Sequence, residues 1–72
     1  MTEQKAREIL EAYRETDEDT GESFGYAVQN YLGEDKGTFF FECKVDGVEY
    51  HDGDSLPVIA VYQDGTLLVL PS

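Results

Sequence analysis

Basic residues are scarce in this chain: five Lys and Arg stand against sixteen Asp and Glu in 72 positions, a formal net charge of −11. That shortage argues against direct binding to nucleic acid or anionic lipid, because each phosphate would meet a repelling field instead of releasing counterions. A basic protein partner, or plain solvent, is what such a surface accepts. Cysteine is limited to Cys43, so no intramolecular disulfide is expected. Residues 1–15 lack the apolar run of a signal peptide, and no stretch reaches the roughly 20 apolar residues of a membrane span. A cytoplasmic protein with no membrane association is the expectation.

Chemistry-bearing patterns are equally thin. No glycine-rich phosphate loop, zinc spacing or cofactor motif occurs, so no cofactor and no dedicated metal site is expected. Asp17-Glu18-Asp19-Thr20-Gly21-Glu22 begins like a calcium loop, but its Gly falls one place early and no Glu closes the twelfth position. Nucleophilic catalysis needs a base beside Ser, Thr or Cys. The only histidine is His51, expected on the opposite face from Cys43 and across from Glu42, while Cys43 reads as a small core residue among phenylalanines. No catalytic residue is assigned, and an enzyme is the least favoured class.

What the chain does have is enough apolar material for one small domain over residues 1–72: 40% hydrophobic residues, among them four Phe and five Tyr. Thr2 can cap a helix in which Ala6, Ile9, Leu10 and Tyr13 share one face, predicting a helix over 2–16. Acids crowd the stretch after it, which reads as a solvated loop. Residues 24–32 fit either period: Phe24, Tyr26 and Val28 alternate as in a strand, whereas Phe24, Ala27, Val28 and Tyr31 fit helical turns. Aromatic content and the internal Gly25 tilt the reading to a strand.

Two Asp-Gly pairs then mark hairpins. Asp46-Gly47 is expected to join strands 38–45 and 48–51, placing Val45 opposite Val48, Lys44 opposite Glu49, Cys43 opposite Tyr50 and Glu42 opposite His51. Asp64-Gly65 is expected to join strands 57–63 and 66–70. The fold class is therefore α+β: one N-terminal helix packed on an antiparallel sheet of four to five strands. The last hairpin is apolar on both faces, Ile59, Val61, Leu68 and Leu70 on one and Val58, Ala60, Tyr62, Leu67 and Val69 on the other. One helix covers one face only. Either residues 23–32 fold over the second face or it is an open patch.

Parts of the chain resemble the YrhB-type immunity family, small bacterial proteins associated with polymorphic toxin systems. Lys5-Ala6-Arg7-Glu8-Ile9-Leu10-Glu11-Ala12-Tyr13 resembles the family's helix, Gly37-Thr38-Phe39-Phe40-Phe41-Glu42 its Gly-aromatic strand, and Leu56 to Leu70 its closing hairpin. The family's Trp in the aromatic strand is absent, and Ser55-Leu56 stands where Gly-Asn precedes the Pro. The resemblance implies a role in neutralising a partner protein.

Charge and resemblance together lead to one expectation, a non-enzymatic protein-binding inhibitor or immunity-type protein that neutralises a basic partner. That partner is a toxin or a nucleic-acid enzyme, the latter as in phage-type anti-defence inhibition. Asp17, Glu18, Asp19 and Glu22 are the candidate docking acids, and Tyr62 and Leu67 the candidate apolar contacts. The alternative is a structural or accessory domain adapted to high salt that homodimerises through its second sheet face.

Overall fold

The computed structural model describes residues 1–70. It is an α+β fold in which helix α1 (Glu3–Ala12) packs on a four-stranded antiparallel sheet, β3 (Tyr26–Asp35), β4 (Thr38–Val45), β5 (Val58–Val61) and β6 (Leu67–Leu70), in the order β3-β4-β5-β6. In the chain, a short hairpin separates helix from sheet, β1 (Glu15–Thr16) paired with β2 (Ser23–Phe24). Among the described residues, no helix is long and apolar enough to cross a membrane.

The Thr2 side chain caps α1 as expected, its Oγ1 accepting from the Lys5 N–H at 3.2 Å. The helix is shorter than the predicted 2–16. Tyr13 is extended, and its N–H closes the last turn on the Leu10 carbonyl. Beyond it the chain has better partners than another helical turn: Arg14 pairs with Asp46 at 2.8 Å, and Glu15-Thr16 enters the hairpin with Ser23-Phe24. The acidic stretch 17–22 is a solvated loop, as expected, and forms the tip of that hairpin.

Residues 26–35 form a strand, the first edge of the sheet, and do not fold over its second face. Two bulges, between Val28 and Asn30 and between Tyr31 and Gly33, explain their mixed period. Each adds a residue, so Val28 and Tyr31, three apart, both lie against the core. At Gly25, between β2 and β3, a Cβ would stand 3.0 Å from the Tyr13 carbonyl oxygen, so glycine lets the chain pass the helix end without displacing it.

The expected hairpin of 38–45 with 48–51 does not form. β4 pairs with β3 across Lys36-Gly37, both at positive φ (53° and 84°), and with β5 on its other side, Phe41 opposite Ile59 and Glu42 opposite Val58. At Asp46-Gly47 only Gly47 has positive φ, and the turn closes with the Val48 N–H on the Val45 carbonyl. A type I′ turn needs both residues positive. Asp46 is held instead from the β3 side, accepting from Arg14 and the Gly25 N–H and donating its own N–H to the Gly25 carbonyl. The free side of β4 goes to Val58–Val61, whose apolar side chains bury far more surface than Val48-Glu49-Tyr50-His51 could.

The last hairpin forms, with a loop one residue longer than expected. The Gly65 N–H bonds the Tyr62 carbonyl, the Tyr62 N–H bonds the Thr66 carbonyl, and Asp64 Oδ1 accepts from the Thr66 N–H. The register moves by one place, so Leu67 lies opposite Val61 and Leu68 opposite Ala60. A shift of one residue exchanges faces. Leu67 and Val69 therefore share the helix side with Ile59 and Val61, while Leu68 and Leu70 join Val58 and Ala60 outside. The core comprises Ala6, Leu10, Tyr26, Phe39, Phe41, Cys43, Ile59 and Val61, with Leu67 at its margin.

Candidate functional site

Asp17, Glu18, Asp19 and Glu22 are brought together on the tip of the β1–β2 hairpin, all four exposed. The tip is ordered by its own backbone: the Asp17 N–H donates to the Glu22 carbonyl, the Gly21 N–H to the Asp17 carbonyl, and the Asp19 N–H to Asp17 Oδ1, each at 2.8 Å. Thr20 Oγ1 accepts from the Glu22 N–H. The base of the hairpin is tied to the core through Glu15, whose carboxylate accepts from the Tyr13 hydroxyl at 2.7 Å and the Tyr26 hydroxyl at 3.4 Å. Tyr13 and Tyr26 stack at 6.0 Å, and Phe24 meets Tyr26 edge-on. Burial, and then the charge of Glu15, push the Tyr26 hydroxyl up to about 12, which keeps it a hydrogen-bond donor throughout the neutral range.

Among the described residues the ion pairs are Arg7 with Glu3 and Arg14 with Asp46. Neither involves the four acids of the tip. Their charge is thus presented outward, with no ion pair among the described residues to offset it.

The apolar candidates are not beside the acids. Tyr62, 36% exposed, lies in the β5–β6 turn, and Gln63 of that turn donates to the Gly37 carbonyl in the β3–β4 turn. These turns are at the Asp35 end of β3, whereas the acidic hairpin leads into its Tyr26 end, so the length of the strand separates the two groups. Leu67 packs against the core margin on the helix side and is no part of the outer face. In its place the register forms a row that the sequence reading missed: Gly33, Phe40, Ala60 and Leu68 lie side by side across the four strands. Within it Leu68 is the most exposed side chain, Phe40 is partly buried and Ala60 is buried. The signal for this row was the Asp64 side-chain turn, which adds the third loop residue.

His51 does not meet Glu42. It lies in an exposed turn, its N–H donating to Asp54 Oδ2 at 2.8 Å, while Glu42 accepts from the Asn30 amide at 3.1 Å. Cys43 is in the core as expected, and burial, with the charge of Glu11 adding to it, pushes its thiol up to about 11. No family model matches the chain, and comparison with curated proteins and with solved structures returns no match.

Proposed function

We propose that this chain is a non-enzymatic, protein-binding inhibitor of the immunity type whose partner is a basic protein, either a toxin or a nucleic-acid enzyme. The observation that carries the reading is the acidic tip: four carboxylates on an ordered hairpin, anchored through Glu15 to the core Tyr26 and to Tyr13 packed against it, and in no ion pair among the described residues. A surface of this kind raises the encounter rate with a positively charged partner and repels phosphate-bearing ligands. The resemblance to the YrhB-type immunity family implies the same role. Once docked, the partner gains apolar contact from the partly exposed Phe40 on the outer face, and from Tyr62 where its footprint reaches the β5–β6 turn. Phage-type inhibition of a host defence enzyme is the form this takes if the partner acts on nucleic acid.

The test is a pull-down from the native host followed by association kinetics at two salt concentrations. Replacing Asp17 and Asp19 by Asn and Glu18 and Glu22 by Gln is expected to slow association about tenfold or more at low salt and to flatten its salt dependence. Thermal stability should hold or rise slightly, since no ion pair is lost and self-repulsion is relieved. Unchanged association kinetics, or a host that yields no basic partner, would sink the reading.

A further inference from the structure

The two edges of the main sheet are built differently. β3 is broken by two bulges, carries Asn30, Glu34 and Asp35, and passes through Gly33 at φ 131°. Charges and bulges of this kind blunt an edge against further pairing. β6 has neither. Leu67-Leu68-Val69-Leu70 is uncharged and regular, and Leu68 and Val69, on opposite faces, are 46% and 47% exposed.

The backbone groups left free on that edge follow from the hairpin. The Thr66 carbonyl accepts from the Tyr62 N–H, so Thr66 turns toward β5. Alternation along an antiparallel strand then turns Leu68 and Leu70 toward β5 as well, and leaves the N–H and C=O of Leu67 and Val69 facing outward.

We propose that a second copy of this chain pairs with this edge, antiparallel about a two-fold axis at Leu68, joining the two sheets into one of eight strands. In that register Leu67 of each copy exchanges both backbone hydrogen bonds with Val69 of the other, and all four outward pairs of groups are satisfied. Leu68 then faces Leu68 of the second copy in a close, non-hydrogen-bonded pair. The outer row of Gly33, Phe40, Ala60 and Leu68 continues without a break into the same row reversed.

The self-complementary register of this edge selects a second copy as occupant, and the distribution of charge selects this edge as its place. Each copy carries −11, so two can approach only where acids are missing, and in residues 56–72 the sole acid is Asp64. Antiparallel pairing sets the two Asp64 residues at opposite ends of the joined strands. The acidic hairpins lead into β3, the far edge of each sheet, and end up at the two outer limits of the assembly, free for a basic partner.

Sedimentation from about 5 to about 500 µM tests the proposal, since the dimer fraction follows mass action. The wild-type chain is expected to shift to twice the monomer mass within that range. Leu68→Lys places two ammonium groups opposite each other across the axis and is expected to leave only monomer. Val69→Pro removes an N–H that β5 does not use, and should do the same with an unchanged circular dichroism spectrum. Leu68→Cys is expected to form an interchain disulfide on mild oxidation, as the Cα atoms of such a pair lie about 4.5 Å apart; the buried Cys43 does not compete. A wild-type chain that stays monomeric throughout overturns the proposal, and so does a dimer that survives Leu68→Lys, whatever Val69→Pro does to folding. Neither result bears on the acidic tip, whose kinetics can be measured on the Leu68→Lys monomer.

Discussion

Phe40 and Phe41 are adjacent and chemically identical, and the sheet gives them opposite surroundings. Phe41 is fully buried, its ring 5.2 Å from that of Tyr31 and capped by the Arg7 guanidinium at 5.9 Å. Phe40 lies on the outer face between Gly33 and Ala60. Truncating Phe41 to Ala removes a large side chain from the centre of the core and is expected to cost about 3–5 kcal/mol, enough to unfold most of a domain this small. Phe40→Ala is expected to cost less, about 1–2 kcal/mol in the monomer, because Phe40 is only partly buried. Urea titrations of both variants at low protein concentration check the pair. Equal losses would mean that the outer face is covered.

At the level of elements, turns decide what the side-chain pattern leaves open. Alternation made the core face of β4 legible from Phe39, Phe41 and Cys43 alone, and charge density picked out the acidic tip. The partners of β4 were not legible, because Asp-Gly at 46–47 has the residues of a hairpin turn while Arg14 and Gly25, far away in the chain, hold Asp46 in another arrangement. Leu67 was assigned to the wrong face for a similar reason: one extra loop residue, fixed by the Asp64 side chain, reverses the hairpin's register. The one turn with two consecutive positive φ angles is Lys36-Gly37, where a lysine takes a conformation that costs an ordinary side chain about 1–2 kcal/mol. Lys36→Asn, which creates the favoured Asn-Gly pair, is therefore expected to raise stability by up to about 1 kcal/mol, read as a higher urea midpoint at unchanged slope. A lower midpoint would show that the Lys36 side chain contributes more than its backbone loses.

The whole molecule carries sixteen acids, and the described ion pairs engage only Glu3 and Asp46. Repulsion among the others opposes the compact state, and salt screens it over a Debye length of about 10 Å at 0.1 M. Urea midpoints are expected to rise between about 0.05 and about 0.5 M sodium chloride, and a flat or falling series would mean that self-repulsion is not a significant term. The topology has a consequence of a different kind. Strands β3 to β6 pair strictly in chain order, so the sheet can grow in one direction as the chain emerges, each new strand adding to the edge left by the one before, across short turns for β4 and β6 and across residues 46–57 for β5. Every intermediate on that route ends in an open edge, and the edge of β5, apolar on both faces, is the most exposed to capture by other chains before β6 covers it. The addition of β6 is then the step that turns a sticky intermediate into a finished fold, and pairing with a second copy repeats that same step once more between molecules.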